Sequence, residues 1–435
     1  MTPGSRRGFT LIEVMIGALV ALVVIGIVMG SFLAQQKSMQ SLDLSREASN
    51  GARDSMLSMQ EAIGRAGYGI DPRYAFDLRN YNCTSYSVST TAANACRDHV
   101  NAPDELVFVE RDPNYYWAGT PSSTVQGCND TSAPCSGHAW QVTNFTTASP
   151  YQVTLSARAG DLFLVGQVVE ITCAKGAAPV MGTVKTQATS ATAALLTITL
   201  LDPVANNRYT DNLAPAHDVC FDSGNASPNN AAAGVSLFLV NRYRYFITTL
   251  NGDPWLMLDR GLDYNQNGTT PENGGDTADL IPIAHGAEGL QIAYLLKPDP
   301  TGVNTAPDLP AGAGNWVIGD SAGTVEEPNP FATAPTQSTG DTDPLRFNTH
   351  PANIRGVRVR LTVRSLVTDR SQGPNWPGDL PGAIPTANLL TPSATATPIE
   401  NRNDFTAVVL GNFRRFNTSV AVATPNLNSK DPFIF

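Results

Sequence analysis

Residues 9–33 form a run of twenty-five residues with a single charge, Glu13, and that run constrains the chain more than anything after it. At about 1.5 Å of rise per residue, a helix of this length reaches roughly 37 Å, enough to cross a bilayer core of ~30 Å with some tilt. An ionised side chain inside a membrane segment costs on the order of 2.5–3.5 kcal/mol at the centre and less near an end. An acid kept in such a place therefore has a role and a partner.

Three targeting signals each explain part of this stretch. A secretory signal peptide joins a basic start to an apolar run of about 7–15 residues and a small-residue cleavage site. Here the run is longer, and no Ala-x-Ala follows it. Arg6-Arg7 fits part of a twin-arginine signal, but a glutamate interrupts the apolar segment and no suitable cleavage site follows. A plain transmembrane anchor accounts for the length and leaves Glu13 without a reason.

Gly8-Phe9-Thr10-Leu11-Ile12-Glu13 resembles the prepilin-type processing signal of type IV pilins and type II secretion pseudopilins. The resemblance implies a leader of residues 1–8, cleavage by a prepilin peptidase between Gly8 and Phe9, and N-methylation of Phe9. Glu13 becomes the fifth residue of the mature chain. A carboxylate one turn from a helix start can neutralise the terminal ammonium of a neighbouring subunit in low dielectric, which sets axial register between stacked helices.

Beyond residue 33 the chain turns polar but keeps helical spacing. Met39, Leu42, Ala48, Ala52, Met56, Met59, Ile63 and Ala66 fall largely at steps of three and four, with Asp43, Arg46, Glu47, Arg53, Asp54, Glu61 and Arg65 mostly elsewhere. The pattern predicts one helix from about Phe9 to Arg65, with a transmembrane part at 9–33 and an amphipathic part at 34–67. Gly67-Tyr68-Gly69 is its stop. Gly26, Gly30 and Gly51 are either local melting points, each costing up to ~1 kcal/mol against Ala, or places of close helix packing.

From Arg73 onward, short β-type runs alternate with Gly, Pro and Asn turns. Strands are expected at 105–110, 152–155, 162–172, 180–185, 195–201, 235–248, 255–259, 290–296, 355–365 and 417–422. The β-rich head spans 68–435, with a cysteine-bearing β subregion at 105–230 and long loops at 298–345 and 371–400. Charged residues are only 15% of the chain, as in loop-rich secreted β proteins, and the formal net charge of −10 argues against nucleic acid as a partner. Six cysteines (Cys83, Cys96, Cys128, Cys135, Cys173, Cys220) would all lie outside the cytoplasm, where an even count reads as three disulfides. Six cysteines allow fifteen pairings. Pairing of neighbours in order, across intervals of 13, 7 and 47 residues, closes local loops, and buried free thiols are the alternative.

Several head segments resemble the large minor pilins of the PilW-like family. They are Gly160-Asp161-Leu162-Phe163-Leu164 leading to Cys173, Arg242-Tyr243-Arg244-Tyr245-Phe246 followed by Leu258-Asp259-Arg260, and Glu288-Gly289-Leu290-Gln291-Ile292-Ala293-Tyr294. The strand at 354–365 and Phe413-Arg414-Arg415-Phe416-Asn417-Thr418-Ser419-Val420 complete the set, in the family's order.

Two other motifs carry chemistry in principle. Gly319-Asp320-Ser321-Ala322-Gly323 matches Gly-x-Ser-x-Gly, with Asp341 and His350 in triad order, but Pro328 and Pro330 oppose the helix that must follow a nucleophile elbow. It reads as a loop turn. Asp263-Tyr264-Asn265-Gln266-Asn267-Gly268 reproduces the first half of a calcium loop, so Asp263, Asn265 and Asn267 are candidate metal ligands. Gly274 stands where an EF-hand needs Glu, leaving Glu272 or Asp276 to supply a carboxylate; an Asx-rich hairpin connection is the alternative. The histidines (His99, His138, His217, His285, His350) lack ligand spacing. Arg358, Arg360 and Arg364 alternate with apolar residues and read as the outward face of a strand.

The resulting expectation is an α+β type IV pilin fold: a long N-terminal helix, membrane stem plus amphipathic half, packed on an enlarged antiparallel β-sheet head. The implied function is a non-enzymatic minor pilin that primes or caps the pilus at low copy near the tip, with no cofactor unless calcium. Its implied partners are other minor pilins, the major pilin, the prepilin peptidase and a large tip adhesin. It would sit in the inner membrane with its head in the periplasm, then in the pilus at the cell surface. The alternatives are a bulky minor pseudopilin of a type II secretion system, a calcium-dependent tip adhesion module and, distantly, an anchored esterase.

Overall fold

The computed structural model describes residues 10–77, 103–112, 140–146, 148–156, 163–172, 179–187, 195–202, 209, 235–271, 276–296, 316–318, 351–369 and 413–429. Its longest element is α1, Leu11–Gly64, 54 residues without a break at Gly26, Gly30 or Gly51. A helix of that length is roughly 80 Å long. At Gly51 a β-carbon would lie 3.8 Å from Val363 Cγ1, so this glycine marks an approach of helix to sheet. The helix stops where the sequence expects it. Arg65 is the C-cap, and Gly67 takes φ +75° and donates its amide to the Val109 carbonyl at 2.9 Å.

Thirteen strands follow: β1 Leu106–Arg111, β2 Trp140–Phe145, β3 Gln152–Ser156, β4 Val168–Thr172, β5 Val180–Gln187, β6 Leu195–Leu200, β7 Ser236–Leu250, β8 Asp253–Asp259, β9 Ile281–His285, β10 Ala287–Leu296, β11 Trp316–Ile318, β12 Ile354–Arg364 and β13 Arg415–Ala423. The strand expected from residue 162 begins only at Val168, because residues 165 and 166 turn, with Gly166 at φ +85°. Three strands, β2, β9 and β11, are not among those expected from the sequence; β9 begins in the segment read as the far side of a hairpin.

β7 organises the first sheet. Its N-terminal part pairs with β4 on one edge and β2 on the other, and the pairings β2–β3, β3–β6, β6–β5 and β5–β4 complete the circuit. Six antiparallel strands thus close into a barrel. Closure removes sheet edges that would otherwise template pairing with other chains. Alternate side chains such as Trp140, Leu155, Val169, Ile171, Ile198 and Leu237 fill its interior. The C-terminal part of β7 leaves the barrel and pairs with β1 and β8, and β8 pairs with β9. β1, expected inside a unit at 105–230, therefore lies beyond the barrel, and the barrel borrows a strand from residue 236 onward.

The second sheet has the order β11-β10-β12-β13 and is antiparallel throughout. The chain passes from the first sheet to the second at Gly286, between β9 and β10. α1 lies across β13, β12 and β9. Its buried face runs Leu44, Ala48, Ala52, Ser55, Met56, Met59, Ala62 and Ile63. Small residues at four of those positions let the backbone come close, and Met59 and Ile63 are wholly buried, each stabilising by roughly 1.5–3 kcal/mol relative to exposure. They share one core with Phe76, Phe108, Tyr245, Leu290, Val357, Val359 and Leu361, drawn from the helix, the β1–β7–β8 ribbon and the second sheet. Ile70 and Val109 pack with Val168, Met181 and Val240, and so seat the barrel beside the end of the helix.

Arg358 corrects the outward reading of β12. It is 2% exposed, and Gln291, Ala293 and Thr362 on the same face of the sheet are also buried. That face is covered over β10 and at Arg358 and Thr362 but open at Ala421 on β13, so alternation along β12 does not separate core from solvent. Burial pushes the Arg358 guanidinium down to about 10.

Candidate functional site: the helix start and an acidic loop

Gly8 and Phe9 lie outside the described residues; Glu13 lies within them. Thr10 is the N-cap of α1 and forms a capping box with Glu13. The Thr10 amide donates to Glu13 Oε2 at 2.9 Å, its hydroxyl donates to the same oxygen at 3.0 Å, and the Glu13 amide donates to Thr10 Oγ1 at 3.4 Å. Oε1 takes no hydrogen bond among the described residues. Glu13 thus secures its own helix end through a single carboxylate oxygen.

Residues 10–40 of the helix are exposed along their whole length. It is one helix long and apolar enough to cross a membrane. From Leu44 the same helix becomes part of the head's core. One unbroken helix therefore joins the exposed apolar stretch to the core of the head.

That coupling is reinforced at the helix end. Arg65 Nε lies 3.3 Å from Oε2 of Glu110 on β1, and Tyr243 on β7 donates its hydroxyl to Glu110 Oε1 at 2.6 Å. Glu110 is 1% exposed. Burial pushes its carboxyl above the ordinary range, against the opposing pull of the Tyr243 hydrogen bond and of Arg65 and Arg260. Burial and the bond to Glu110 raise the Tyr243 hydroxyl as well. Sequence reasoning did not find this group, although a glutamate closing the apolar run Leu106-Val107-Phe108-Val109 was the available signal.

The Asx-rich loop between β8 and β9 is folded around its acids. Asp263 is buried and accepts the amides of Asn267 at 3.1 Å and Gly268 at 2.7 Å. Asn265 and Asn267 are exposed, and both direct their side-chain amides to Asp276 Oδ2. These bonds, that from Asn265 first, hold the Asp276 carboxyl below its usual range. Asp279 is buried and accepts the amides of Tyr264 and Asn265 through Oδ1, each at 3.1 Å. The structure therefore places Asp263, Asn265 and Asn267 in one hydrogen-bonded loop with Asp276, and adds Asp279, which sequence reasoning missed; Glu272 lies outside the described residues. The loop also fastens the barrel, since the Asp263 amide donates to the Val165 carbonyl at 3.0 Å.

All six cysteines, the Gly319–Gly323 motif, Asp341 and four of the five histidines lie outside the described residues. The fifth, His285, stacks on Trp255 with ring centroids 4.2 Å apart. Arg364 pairs with Asp253 and Glu288, Arg415 with Glu288, and Arg414 with Asp369.

No family model matches this chain, and no curated protein matches it. Among solved structures it is similar to a type IV-like pilin from Thermus thermophilus, at 16% identity and a TM-score of 0.18. The match covers 43% of this chain and 66% of that one. An overlap at that score does not establish a common fold.

Proposed function

We propose that this chain is a minor type IV pilin of the PilW-like kind, a structural subunit without catalysis of its own. The observation that carries the reading is α1, whose apolar first half is exposed and packs against none of the described residues, while its second half is a core element of the head. A soluble domain that exposed such a length of apolar helix would aggregate or bind a membrane. A filament of bundled stems buries it. The junction Gly8-Phe9 is the expected point of cleavage and Phe9 the methylated terminus, with Glu13 one turn beyond.

In this reading the stem waits in the inner membrane with the head in the periplasm. It then joins other minor pilins, and through them the major pilin and a tip adhesin. A head of this size fits few positions in a packed helical shaft, which favours low copy near the tip and a part in priming or capping assembly.

Deletion of the gene should abolish or sharply reduce surface pili, and terminal sequencing of the mature protein should begin at N-methylated Phe9. Pili assembled normally, together with loss of protein secretion, would replace this reading with that of a bulky minor pseudopilin. An unprocessed protein that still spans the membrane would remove both.

A further inference from the structure

We propose that Asp263, Asn265 and Asn267, together with Asp276 and Asp279, supply the ligand oxygens of a calcium site. The inference is independent of the pilus reading. Its first ground is a carboxylate left unsatisfied. Asp279 is 3% exposed, and while Oδ1 holds two backbone amides, Oδ2 is buried with no hydrogen-bond partner among the described residues. A buried carboxylate oxygen without a donor costs about 1–3 kcal/mol or more. Among the described residues the charges that act on Asp279 are those of Asp276 and Asp263, both repulsive, and a bound cation would offset them.

The second ground is the fold of the loop. Asp263 holds the amides of the fifth and sixth positions, and Gly268 turns at φ +86°. That is the hairpin that gathers the side chains at positions one, three and five of a calcium loop. Each carboxylate oxygen has two lone pairs, so Asp263 and Asp279 keep capacity for a metal beyond the amides they accept, whereas Asn267 Oδ1 already accepts the Thr269 amide and hydroxyl and Asp276 Oδ2 both Asn side chains. Among the described residues no three acidic, histidine or cysteine side chains already converge on one point. Binding therefore requires Asp276 and the two Asn side chains to give up the bonds they now make with one another and with Thr269, and to turn their oxygens toward the ion. Oxygen donors alone, in a loop that closes on its ligand, favour calcium over magnesium, which demands a near-octahedral shell at short distance.

The consequence is mechanical. The Asp263 amide bonds the Val165 carbonyl, and a β-carbon on Gly166 would fall 1.8 Å from the Gly261 carbonyl oxygen. The loop and the barrel turn are thus in contact, and an ion fixing one fixes the other.

The test uses the full chain in detergent. Terbium binding is read by luminescence sensitised through Tyr264, with displacement by calcium or magnesium and melting temperature in EDTA or in millimolar calcium. We expect calcium to displace terbium, magnesium to do so poorly, and calcium to raise the melting temperature. Asp279→Asn should weaken calcium binding by at least about tenfold, yet in EDTA melt no lower than the wild-type chain, because it removes the unpaired charge. A wild-type chain without a calcium response, terbium that calcium does not displace, or full calcium affinity in Asp279→Asn overturns the proposal. Should that variant fail to fold, Asp276→Asn, at a more exposed position, carries the same test: unchanged affinity overturns it.

Discussion

Arg65, the residue that caps the long helix, sits with its Nε 3.3 Å from the buried Oε2 of Glu110, so the last turn of the stem is ion-paired to the first strand of the head. Arg65 is nearly half exposed and Glu110 almost wholly buried. An exposed pair is worth little; this one matters because the carboxylate it touches has left water. Replacing Glu110 by Ala strands the Tyr243 hydroxyl in the core and should cost about 1–3 kcal/mol, measured by denaturant unfolding of the full chain in detergent.

The same glutamate predicts a pH dependence with a definite sign. Its folded-state carboxyl is raised above the unfolded value, so between the two the folded state binds more protons, and stability falls as pH rises through the folded value. Melting temperature should therefore decline across the range just above that of an ordinary glutamate. Glu110→Gln keeps an acceptor for Tyr243 and should flatten the decline. An unchanged profile in that variant would show that Glu110 is not its source.

Glu13 has two jobs that can be separated. Thr10→Ala removes the hydroxyl half of the capping box, a loss of about 1 kcal/mol at the helix end, and leaves the carboxylate. Glu13→Gln preserves the cap, since Gln serves in such boxes, and removes the charge. If register between subunits depends on the charge, Glu13→Gln and Glu13→Ala should both be processed yet missing from sheared pili, while Thr10→Ala is incorporated. Incorporation of Glu13→Gln at wild-type levels, read by immunoblot of sheared pili, would falsify the charge-pairing account.

Gly166 and Gly252 share a left-handed backbone, at φ +85° and +89°, and differ in surroundings. A β-carbon on Gly166 lands 1.8 Å from the Gly261 carbonyl oxygen, and one on Gly252 meets nothing within 4 Å. Both alanine variants incur about 1 kcal/mol or more of backbone strain. Gly166→Ala should be the worse by a further ~2 kcal/mol or more, because backbone must move. Equal melting temperatures in the two variants would mean that the barrel turn gives way freely.

How far the sequence reveals this molecule follows from which information is local. The long helix is legible to within two residues because spacing, charge and the Gly67 stop all lie in one segment. The run 236–250 reads plainly as a strand, but its change of neighbours midway, where the barrel closes, depends on partners up to 139 residues away (Leu106 opposite Tyr245). Arg358 misleads because alternation shows that a strand has two faces, not that one of them is wet. At the acidic loop the motif Asp-x-Asn-x-Asn-Gly named three residues correctly as neighbours. Asp279 escaped because its part comes from a short helical turn at Thr277–Asp279, outside the motif's length.

Arg244 provides the sharpest test of how the head is held. It is 1% exposed and grips Glu105 with both arms of its fork, Nη2 to Oε1 at 2.7 Å and Nε to Oε2 at 2.9 Å, while Nη1 lies 3.5 Å from Asp259 Oδ2. The group binds the entry to β1 and the end of β8 across β7, at the register pair Arg244 and Asp259. Its guanidinium also lies over the Phe246 ring, 4.5 Å from the centroid. A buried pair is expensive to form but costlier to break, since the surviving charge is left in low dielectric. Arg244→Met should therefore destabilise the chain by about 3–5 kcal/mol. Arg244→Lys should recover only part, because an ammonium cannot reproduce the two-armed contact. Adding Glu105→Gln to Arg244→Met should restore stability relative to the single variant, a non-additivity read from a double-mutant cycle by denaturant unfolding. If Arg244→Met instead unfolds within about 1 kcal/mol of the parent chain, the ribbon of β1, β7 and β8 is held by its apolar face alone.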